Sequence, residues 1–427
     1  MNINPKQMKF SIRKISMLVA IATLPVSLRA QEIPIYRDAS KPIEERIDDA
    51  LSRMTLEEKV GLLHADRSYG SDGPSGLRPE MVWQTWIHAG MSSDSCTAFP
   101  ALVCLAATWN PEMGHLFGKS LGEEALYRDK NMLLGPAVNI FRTPMNGRNF
   151  EYMGEDPYLT SKMAVSYIKG VQENHVSACV KHFAVNNQET KRTTINTIVD
   201  ERTLHEIYFP AFKAAVQEAG VWAVMGAYNK FNSQYCCHNS YLLNDVLRGE
   251  WGFDGVVVSD FGGTHDTQEA IDNGLDMEFG TDLGSLEAFQ NYRLGKPYLK
   301  LLKQNETSEK VLNEKVRRVL RMMYRTNMSE GRPWGTLASE EHAMAARKIA
   351  EEGIVLLKNN NKILPVNIGS LNRILVVGEN AVKMMSRDGG SSEAKSKYEV
   401  VPLEGIRKYV ADRIEVDYQP GYSSTAS

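Results

Sequence analysis

Short apolar runs alternate with amphipathic helical patterns from about residue 40 to residue 325. Four of these runs, residues 133–138, 177–180, 223–226 and 256–259, are followed by polar side chains. Such runs are typical of buried strands, and the helical patterns between them indicate strand–helix–strand units. These units predict parallel strands that are joined by crossover helices.

The helical patterns place apolar residues three and four positions apart, which is the spacing of one helix face. The clearest pattern covers residues 204–219, where Thr203 and Glu206 have the spacing of a capping box. Pro210 predicts a kink or a break in the first turns of this helix. A shorter helix is predicted to begin at Ser240. The length of the region favours a (β/α)8-type TIM-like barrel, with an open doubly wound sheet as the alternative.

A second region begins after residues 326–336, which are rich in Gly, Pro and polar residues and are typical of a linker. A helix is predicted over residues 339–358, and strands are predicted over residues 374–377 and 414–418. The segment SRDGGSSEAKS, residues 386–396, predicts a polar loop. These elements predict the opening part of an α/β domain rather than a complete one.

Residues 1–30 have the order of a secretory signal peptide. Basic residues precede the mostly apolar run 15–24, and small neutral residues then lead to Ala30. The apolar run is too short to span a bilayer. We therefore expect export to the periplasm or the medium and no membrane association after cleavage, with a leader that stays in the cytoplasm as the alternative.

Composition excludes several classes of protein. The chain has 427 residues, of which 43% are hydrophobic and 24% charged, and its formal net charge is −3. These values are typical of a soluble globular enzyme, and the length indicates two folded units. The charge balance gives no reason to expect nucleic acid or an anionic membrane as a partner.

The cysteines leave two alternatives open. The five are Cys96, Cys104, Cys179, Cys236 and Cys237, and no C-x-x-C spacing that would indicate a structural zinc site occurs among them. Either Cys96 or Cys104 forms a disulfide with one of the adjacent pair, or the thiols are free and buried.

Polar side chains follow three of the predicted strands directly. Lys181 and His182 follow residues 177–180, Tyr228 follows the next strand, and Asp260 follows residues 256–259. Reactive residues of α/β barrels lie at the carboxyl ends of the strands. Singly, each of these residues is explained as a salt-bridged, packed or capping residue, but together they predict convergence on one rim.

Two further residues belong to the same prediction. Arg148 lies in GRNFEYMGEDP after the first predicted strand, and Asp72 lies in the turn-rich segment SDGPSGLR. Arg and Lys neighbours are expected to lower the pKa of Asp260 and keep it ionised, which suits a nucleophile or a charge stabiliser. The small residues Gly262 and Gly263 are expected to leave room for a ligand.

Four strings, in this order, resemble the catalytic barrel of glycoside hydrolase family 3, in its β-glucosidase branch: GRNFEYMGEDP, KHFAVNNQE, VMGAYNKFNS and GFDGVVVSDFGG. The resemblance covers most of residues 45–325. EEGIVLLKNNNKILPV and SRDGGSSEAKS resemble the start of the family's second, α/β sandwich domain. Together with the signal-like residues 1–30 and the linker, the resemblance gives an α/β fold with these expected parts: a signal peptide over 1–30, a (β/α)8-type barrel over 31–325, a linker over 326–337 and an incomplete α/β sandwich domain over 338–427.

The resemblance also implies a function. It matches Asp260 with the family's nucleophile, and it matches five residues with the lining of the −1 sugar pocket: Asp72, Arg148, Lys181, His182 and Tyr228. The implied enzyme is a retaining, exo-acting β-glucosidase that acts on β-linked oligosaccharides or β-glucosides through a covalent glycosyl-enzyme on Asp260. No metal and no organic cofactor is implied.

Two departures from the family pattern bear on this implication. Phe261 stands where the family usually has Trp, which affects the preference for the leaving group. The general acid/base of this branch is a Glu of the second domain, which the resemblance places beyond residue 427. Glu393 lies in the corresponding substrate-facing loop but does not match the acid/base motif.

Three other interpretations remain. A β-xylosidase of the same family uses the same barrel, and a truncated sugar-binding fragment without turnover needs no acid. A β-N-acetylhexosaminidase is disfavoured, because AVNNQE follows Phe183 where that branch has a His-bearing, glycine-rich loop.

Overall fold

A parallel sheet flanked by helices forms the larger part of the structure. The computed structural model describes residues 33–65, 95–128, 130–280, 292–326, 328–329, 331–386 and 394–422. The strands of the parallel sheet and its continuation are, in chain order, β1 (His64–Ala65), β2 (Met132–Leu133), β3 (Ser177–Phe183), β4 (Ala223–Gly226), β5 (Val256–Val258) and β6 (Glu278–Phe279). Three two-residue strands, Asn196–Thr197, Lys230–Phe231 and Gln234–Tyr235, form a separate small sheet.

Neighbouring strands of this unit are parallel. The order β2-β3-β4-β5 forms one sheet, in which Val180 pairs with Val224 and Val224 with Val257. A bridge between Val258 and Met277 leads from β5 towards β6, which pairs in parallel with β1. All residues of β3, β4 and β5 are buried. Their continuous apolar runs therefore follow from a sheet that is covered on both faces.

Helices connect and cover these strands. They are α1 (Ile43–Arg53), α2 (Leu56–Gly61), α3 (Leu102–Ala107), α4 (Pro111–Tyr127), α5 (Pro157–Gln172), α6 (Pro210–Gln217), α7 (Tyr241–Glu250, a helix of the wider π type), α8 (Thr267–Asp272), α9 (Lys296–Lys303) and α10 (Glu309–Arg325). The close approach of α4 and α5 depends on glycine, because a Cβ on Gly118 would lie 2.1 Å from the carbonyl oxygen of Tyr167.

Three of the four predicted barrel strands are present as continuous strands. β3 is longer than predicted and includes Lys181 and His182, whereas the predicted strand over residues 133–138 is reduced to β2 and an isolated bridge between Ala137 and Lys181. Pro136 explains the interruption, because proline has no N–H to donate to a strand ladder.

The helix before β4 begins earlier than predicted, and the capping-box prediction was wrong. Asp200 is the N-cap and accepts a hydrogen bond from the Thr203 N–H at 3.0 Å, and a helical turn follows at Glu201–Thr203. The predicted break at Pro210 is confirmed, because a wider π-type turn, Leu204–Tyr208, precedes α6 and Pro210 is the first residue of α6. α7 begins after Ser240, as predicted, although the Ser240 side chain makes no capping bond.

The second unit contains α11 (Glu340–Gly353), β7 (Arg373–Val377), α12 (Pro402–Val410) and β8 (Glu415–Gln419). β7 and β8 are parallel neighbours, and their positions match the predicted strands. α11 is shorter than the predicted helix over 339–358. It begins with the side chain of Ser339 accepting the His342 N–H, and it ends at Gly353. The domain boundaries given by the sequence remain predictions.

A buried charged cluster joins α11 to α4. Glu124 of α4 is almost fully buried and accepts hydrogen bonds from the N–H groups of Thr97 and Ala338, each at 3.1 Å. His342 lies between two carboxylates, with Nδ1 3.2 Å from Glu124 and Nε2 2.8 Å from Glu123. Burial opposes the charged imidazole, but the hydrogen bonds to both carboxylates outweigh it and raise the pKa of His342.

All five cysteines are free thiols, and of these Cys104 is partly exposed while the other four are buried. Of the two alternatives left open by the sequence, a disulfide or free thiols, the structure therefore has free thiols. Within the described part of the chain, no helix has the length and apolar character needed to cross a membrane. The same residues contain no group of three His, Cys, Asp or Glu side chains arranged to hold a metal ion.

Candidate active site

The ends of three adjacent parallel strands place four of the predicted residues at one edge of the sheet. Lys181 and His182 are near the carboxyl end of β3, Tyr228 lies two residues after β4, and Asp260 lies two residues after β5. Because β3, β4 and β5 are parallel neighbours, these side chains emerge at the same rim.

Asp260 is positioned by its own turn. Its side chain is buried, with 6% of the residue exposed, and Oδ1 accepts the Phe261 N–H at 2.8 Å. The Gly263 N–H donates to the Asp260 carbonyl oxygen at 2.9 Å. The other carboxylate oxygen, Oδ2, is buried without a hydrogen bond of standard geometry. One oxygen is therefore fixed by the backbone, while the second remains available to a ligand.

The turn after Asp260 also shows why glycine follows. Gly262 has a φ of 69°, in the left-handed region that favours glycine, and a Cβ on Gly263 would lie 2.7 Å from Sγ of Cys237. The glycines are thus required by the turn and by packing against a buried thiol, a reason that the sequence alone did not reveal. Phe261 is half-buried and its ring packs against Phe279 at 5.5 Å between centroids.

Arg148 reaches the site from a braced loop that begins after β2. The Phe141 N–H donates to the Gly154 carbonyl at 2.9 Å, which closes the base of this loop. Nη2 of Arg148 lies 2.8 Å from Nε2 of His182, and the same His182 nitrogen lies 3.7 Å from Oδ2 of Asp260. A chain of polar contacts therefore leads from Arg148 through His182 to Asp260.

His182 is a neutral imidazole with a fixed tautomer. Burial lowers its pKa well below the usual value, and the charges of Arg148 and Lys181 act in the same direction. Since Arg can only donate, Nε2 of His182 accepts from Arg148 and the proton is on Nδ1. The buried amide of Asn139 fixes the backbone of His182, accepting its N–H at 2.8 Å and donating to its carbonyl at 2.9 Å.

Glu151 connects the two cations of the site. It closes a single 3-10 turn, Asn149–Glu151, and its side chain is buried. Oε1 accepts a hydrogen bond from Nε of Arg148, and Oε2 lies 3.3 Å from Nζ of Lys181. Burial acts to lower the pKa of Arg148, but Glu151 and other nearby anions outweigh it and raise this pKa above its usual value. Arg148 is therefore a permanent cation.

Tyr228 completes the side of the site formed by β4. Its ring is half-buried, and the guanidinium of Arg192 lies 4.8 Å from the ring centroid in a cation–π contact. Burial raises the pKa of Tyr228, and the nearby charge of Asp260 adds to this shift. The Tyr228 hydroxyl is therefore a neutral donor that stabilises the Asp260 carboxylate.

The net shift of the Asp260 pKa is upwards, so the direction expected from sequence was wrong. Burial is the largest influence and raises the pKa, while Arg148, the Phe261 N–H, Lys181 and Tyr228 act to lower it. The neighbouring cations could be predicted from the sequence, but the extent to which the Asp260 carboxylate is buried away from water could not, and this burial decides the direction of the pKa shift. A poorly solvated, more basic carboxylate is a better nucleophile than an exposed one.

The structure brings together five of the six predicted site residues: Arg148, Lys181, His182, Tyr228 and Asp260. Asp72 lies outside the described residues, as does Glu393. Reasoning from sequence missed Glu151, Asn139 and Arg192. Glu151 lies within the quoted string GRNFEYMGEDP, so its position three residues after Arg148 was the available signal.

Glu278 is a second buried carboxyl at a strand end. Burial raises its pKa to about 8, so it is mostly protonated at neutral pH. Its Oε2 accepts the Leu294 N–H at 2.9 Å, which ties β6 to the segment before α9. The backbone partners of the Glu278 carboxyl, Leu294 and Arg293, both belong to the segment before α9.

This arrangement has a definite chemical capacity. A buried carboxylate with one free oxygen lies beside a fixed Arg, a Lys, a neutral His and a Tyr hydroxyl. These groups donate hydrogen bonds in several directions, as recognition of the hydroxyl groups of a sugar requires. The carboxylate is suited to nucleophilic attack at an adjacent electrophilic carbon.

The chain is similar to known proteins along most of its length. A family model described as "Glycosyl hydrolase family 3 N terminal domain" matches residues 76–322, and one described as "Glycosyl hydrolase family 3 C-terminal domain" matches residues 354–426. A β-glucosidase of Bacteroides ovatus is 49% identical over 418 aligned positions, covering 92% of this chain and 56% of the relative.

Two further relatives have other names or known structures. An exo-α-(1→6)-L-arabinopyranosidase of Bifidobacterium longum is 34% identical over 403 positions, covering 87% of this chain and 50% of the relative. The structure of β-glucosidase 3B from Thermotoga neapolitana in complex with α-D-glucose has a TM-score of 0.79 and 34% identity, covering 87% of this chain and 55% of that one. The chain spans about half the length of these relatives. The predicted fold class, a TIM-like barrel followed by part of an α/β sandwich, is confirmed.

Proposed function

The chain belongs to glycoside hydrolase family 3, and from this premise we propose that it is a retaining, exo-acting β-glucosidase that removes terminal non-reducing β-D-glucosyl residues. The observation that carries the proposal is the buried Asp260 carboxylate, with Oδ2 free of a standard hydrogen bond and surrounded by donors. Relatives and structures named β-glucosidase support the choice of substrate.

In the proposed mechanism Oδ2 of Asp260 attacks the anomeric carbon while the bond to the leaving-group oxygen breaks. The product is a covalent glycosyl-enzyme, which water then hydrolyses with net retention. Arg148, Lys181 and His182, together with Asp72, hold the sugar hydroxyls. The wrong epimer leaves Arg148, Lys181 or His182 without its hydrogen-bond partner, which disfavours its binding.

The direct test is hydrolysis of an aryl β-glucoside, with the anomer of the first product determined by NMR. Release of β-glucose supports the proposal, because retention follows from two displacements at the same carbon. Release of α-glucose contradicts the covalent mechanism. Binding of glucose without any turnover favours the sugar-binding fragment instead.

Pentopyranosides are the second candidate class of substrate. Relatives named exo-α-(1→6)-L-arabinopyranosidase favour this alternative, and the sequence left a β-xylosidase open. These sugars lack the hydroxymethyl group of glucose. Comparison of kcat/KM for aryl β-D-glucoside, β-D-xyloside and α-L-arabinopyranoside decides between the classes, and a higher value for either pentoside contradicts the glucosidase assignment.

We also propose that the protein is exported, on the basis of the signal-like residues 1–30. The expected mature N-terminus is Gln31. Edman or mass-spectrometric sequencing of the protein from the periplasm and the medium tests this, and an intact Met1 in the cytoplasmic fraction contradicts it.

A further inference from the structure

Two buried cations lie beside Asp260, yet neither forms its ion pair with it. Among the described residues, the ion pairs of Arg148 and Lys181 are with Glu151, whereas Oδ2 of Asp260 lies 3.7 Å from the neutral ring of His182. A buried charge is stable only when it is paired with a charge of opposite sign, because its desolvation is costly. Something must therefore hold both cations away from the nucleophile.

Glu151 has the geometry for this task. Its two carboxylate oxygens are divided, one to Nε of Arg148 and the other to Nζ of Lys181 at 3.3 Å. Like Lys181 it is buried, with 7% of its surface exposed, and the side chain of Arg148 is 13% exposed. Its attachment to the single turn after Arg148 limits the positions that its side chain can reach.

The charge balance leads to the same conclusion. Arg148 and Lys181 are two cations, and Asp260 and Glu151 are two carboxylates, while His182 is neutral. The nearby Arg192 is paired with Glu189 and leaves this balance unchanged. Removal of the Glu151 charge leaves two buried cations with one carboxylate. Arg148 and Lys181 would then be drawn to Asp260, whose free oxygen would be occupied by a salt bridge.

We propose that Glu151 is a positioning residue that keeps Arg148 and Lys181 off Asp260, leaving the nucleophile free and both cations available to the sugar hydroxyls. This inference rests on the function proposed for Asp260. Glu151 itself touches neither the substrate nor the reacting atoms in this account.

The test compares Glu151→Gln with Glu151→Asp and with wild type. Gln keeps the shape but not the charge, whereas Asp keeps the charge but is too short to reach both cations. Glu218→Gln, which removes one carboxylate from an exposed pair with Lys162 on the outer surface, is the control. Circular dichroism checks that each variant is folded.

The first readout is kinetic. With an activated aryl glucoside, Glu151→Gln should lower kcat by on the order of 10- to 100-fold. The acid limb of its pH profile should move to lower pH by about one unit, because new cation partners favour the Asp260 carboxylate. Among the described residues, the titratable and charged groups that face Asp260 are Arg148, Lys181, His182, Tyr228, Tyr152, Cys179 and Cys237. Glu151→Asp should recover part of the acid limb but little of kcat.

The second readout is structural and needs no activity. Crystal structures of wild type and Glu151→Gln should show Arg148 or Lys181 within hydrogen-bond distance of Asp260 only in the variant. A folded Glu151→Gln with unmoved cations and an unmoved acid limb overturns the proposal. If the Glu151→Gln variant does not fold, the positions of Arg148 and Lys181 relative to Asp260 are compared between wild type and Glu151→Asp instead. A wild type that hydrolyses no β-glycoside contradicts the proposed function, while the structural comparison still judges Glu151.

Discussion

Asp260 is held by its own turn rather than by the cations around it, and this determines the effect of its substitution. In Asp260→Asn the side-chain oxygen can still accept the Phe261 N–H, so the turn should persist. The amide cannot attack as an anion, and turnover should fall on the order of 10³-fold or more. Steady-state kinetics with an aryl β-glucoside measure this. Asp38→Asn, in a turn remote from the site, is the matched control; near-normal activity of Asp260→Asn would mean that another residue is the nucleophile.

The raised pKa of Asp260 predicts an unusual acid limb. The nucleophile must be ionised, and burial shifts its protonation to higher pH than that of an ordinary Asp, whose pKa is 3.8. As pH falls from neutrality, activity should therefore be lost with an apparent pKa above 3.8. A pH profile of kcat/KM with an activated substrate measures this value. An acid limb at or below 3.8 would mean that the cations outweigh burial after all.

At the residue scale, the sequence could predict those site residues that are adjacent in sequence to a predicted strand. Asp260, Lys181, His182 and Tyr228 stand next to strand-like runs, so their convergence is readable from the order of the chain. The contacts of the two Glu151 carboxylate oxygens with two different cations cannot be predicted in this way. They depend on the side-chain geometry of Glu151 and Lys181, which are 30 positions apart in the sequence.

At the scale of elements, apolar runs predicted strands well where the sheet is covered on both faces, as in β3, β4 and β5. The first strand was overestimated because Pro136 lies inside an apolar run. The start of the helix before β4 was misplaced because Asp200, three residues before Thr203, is the residue that actually caps it. Local propensity identifies the element but not which of two neighbouring caps is used.

The contact between α4 and α11 makes stability depend on pH. The pKa of His342 is raised, so its stabilising contribution is present below pH 6.5 and is lost as pH rises through its folded pKa. The pKa of Glu278 is raised from 4.5 to about 8, so Glu278 also makes the folded state less stable as the pH rises above 4.5. The effect of His342 on stability must therefore be separated from that of Glu278 by comparing a His342 variant with wild type.

Substitution of His342 by Gln should reduce this dependence. The melting temperature of His342→Gln should lie below that of wild type at pH 6, and the gap should narrow by pH 9, because wild type has by then lost the imidazolium. Thermal unfolding at both values measures the gap. Arg347→Gln removes an exposed pair on the same helix and is the control; a gap that is equal at both pH values would show that protonation of His342 does not stabilise the contact.

At the scale of the whole molecule, the mechanism needs a proton donor for the leaving group in addition to Asp260. A retaining glycosidase uses two carboxyl groups about 5–5.5 Å apart, one of them protonated. The chain spans 56% of its Bacteroides ovatus relative, and among the described residues the hydrogen-bond and ion-pair partners found for the Asp260 side chain include no second carboxyl group. The protonated carboxyl that the described residues offer, Glu278, is hydrogen-bonded to Leu294.

Dependence on the leaving group follows from this. The chain should hydrolyse a dinitrophenyl β-glucoside, whose leaving group needs no protonation, far better than cellobiose. The Bacteroides ovatus β-glucosidase, assayed in parallel, should show a much smaller difference. The ratio of kcat/KM for the two substrates measures the effect. Full activity of this chain on cellobiose would mean that an acid lies within residues 1–427, with Glu393 and Glu278 the first to mutate.

The central claim is that Asp260 forms a covalent bond to the sugar, and trapping that bond tests it most directly. A 2-deoxy-2-fluoro-β-glucoside with a dinitrophenyl leaving group slows both displacements but favours the first, so the glycosyl-enzyme accumulates. Mass spectrometry of the intact protein and of its peptides should find one fluoroglucosyl group on Asp260 and none in Asp260→Asn. An adduct on a different residue, or hydrolysis of the substrate without any adduct, would contradict the account.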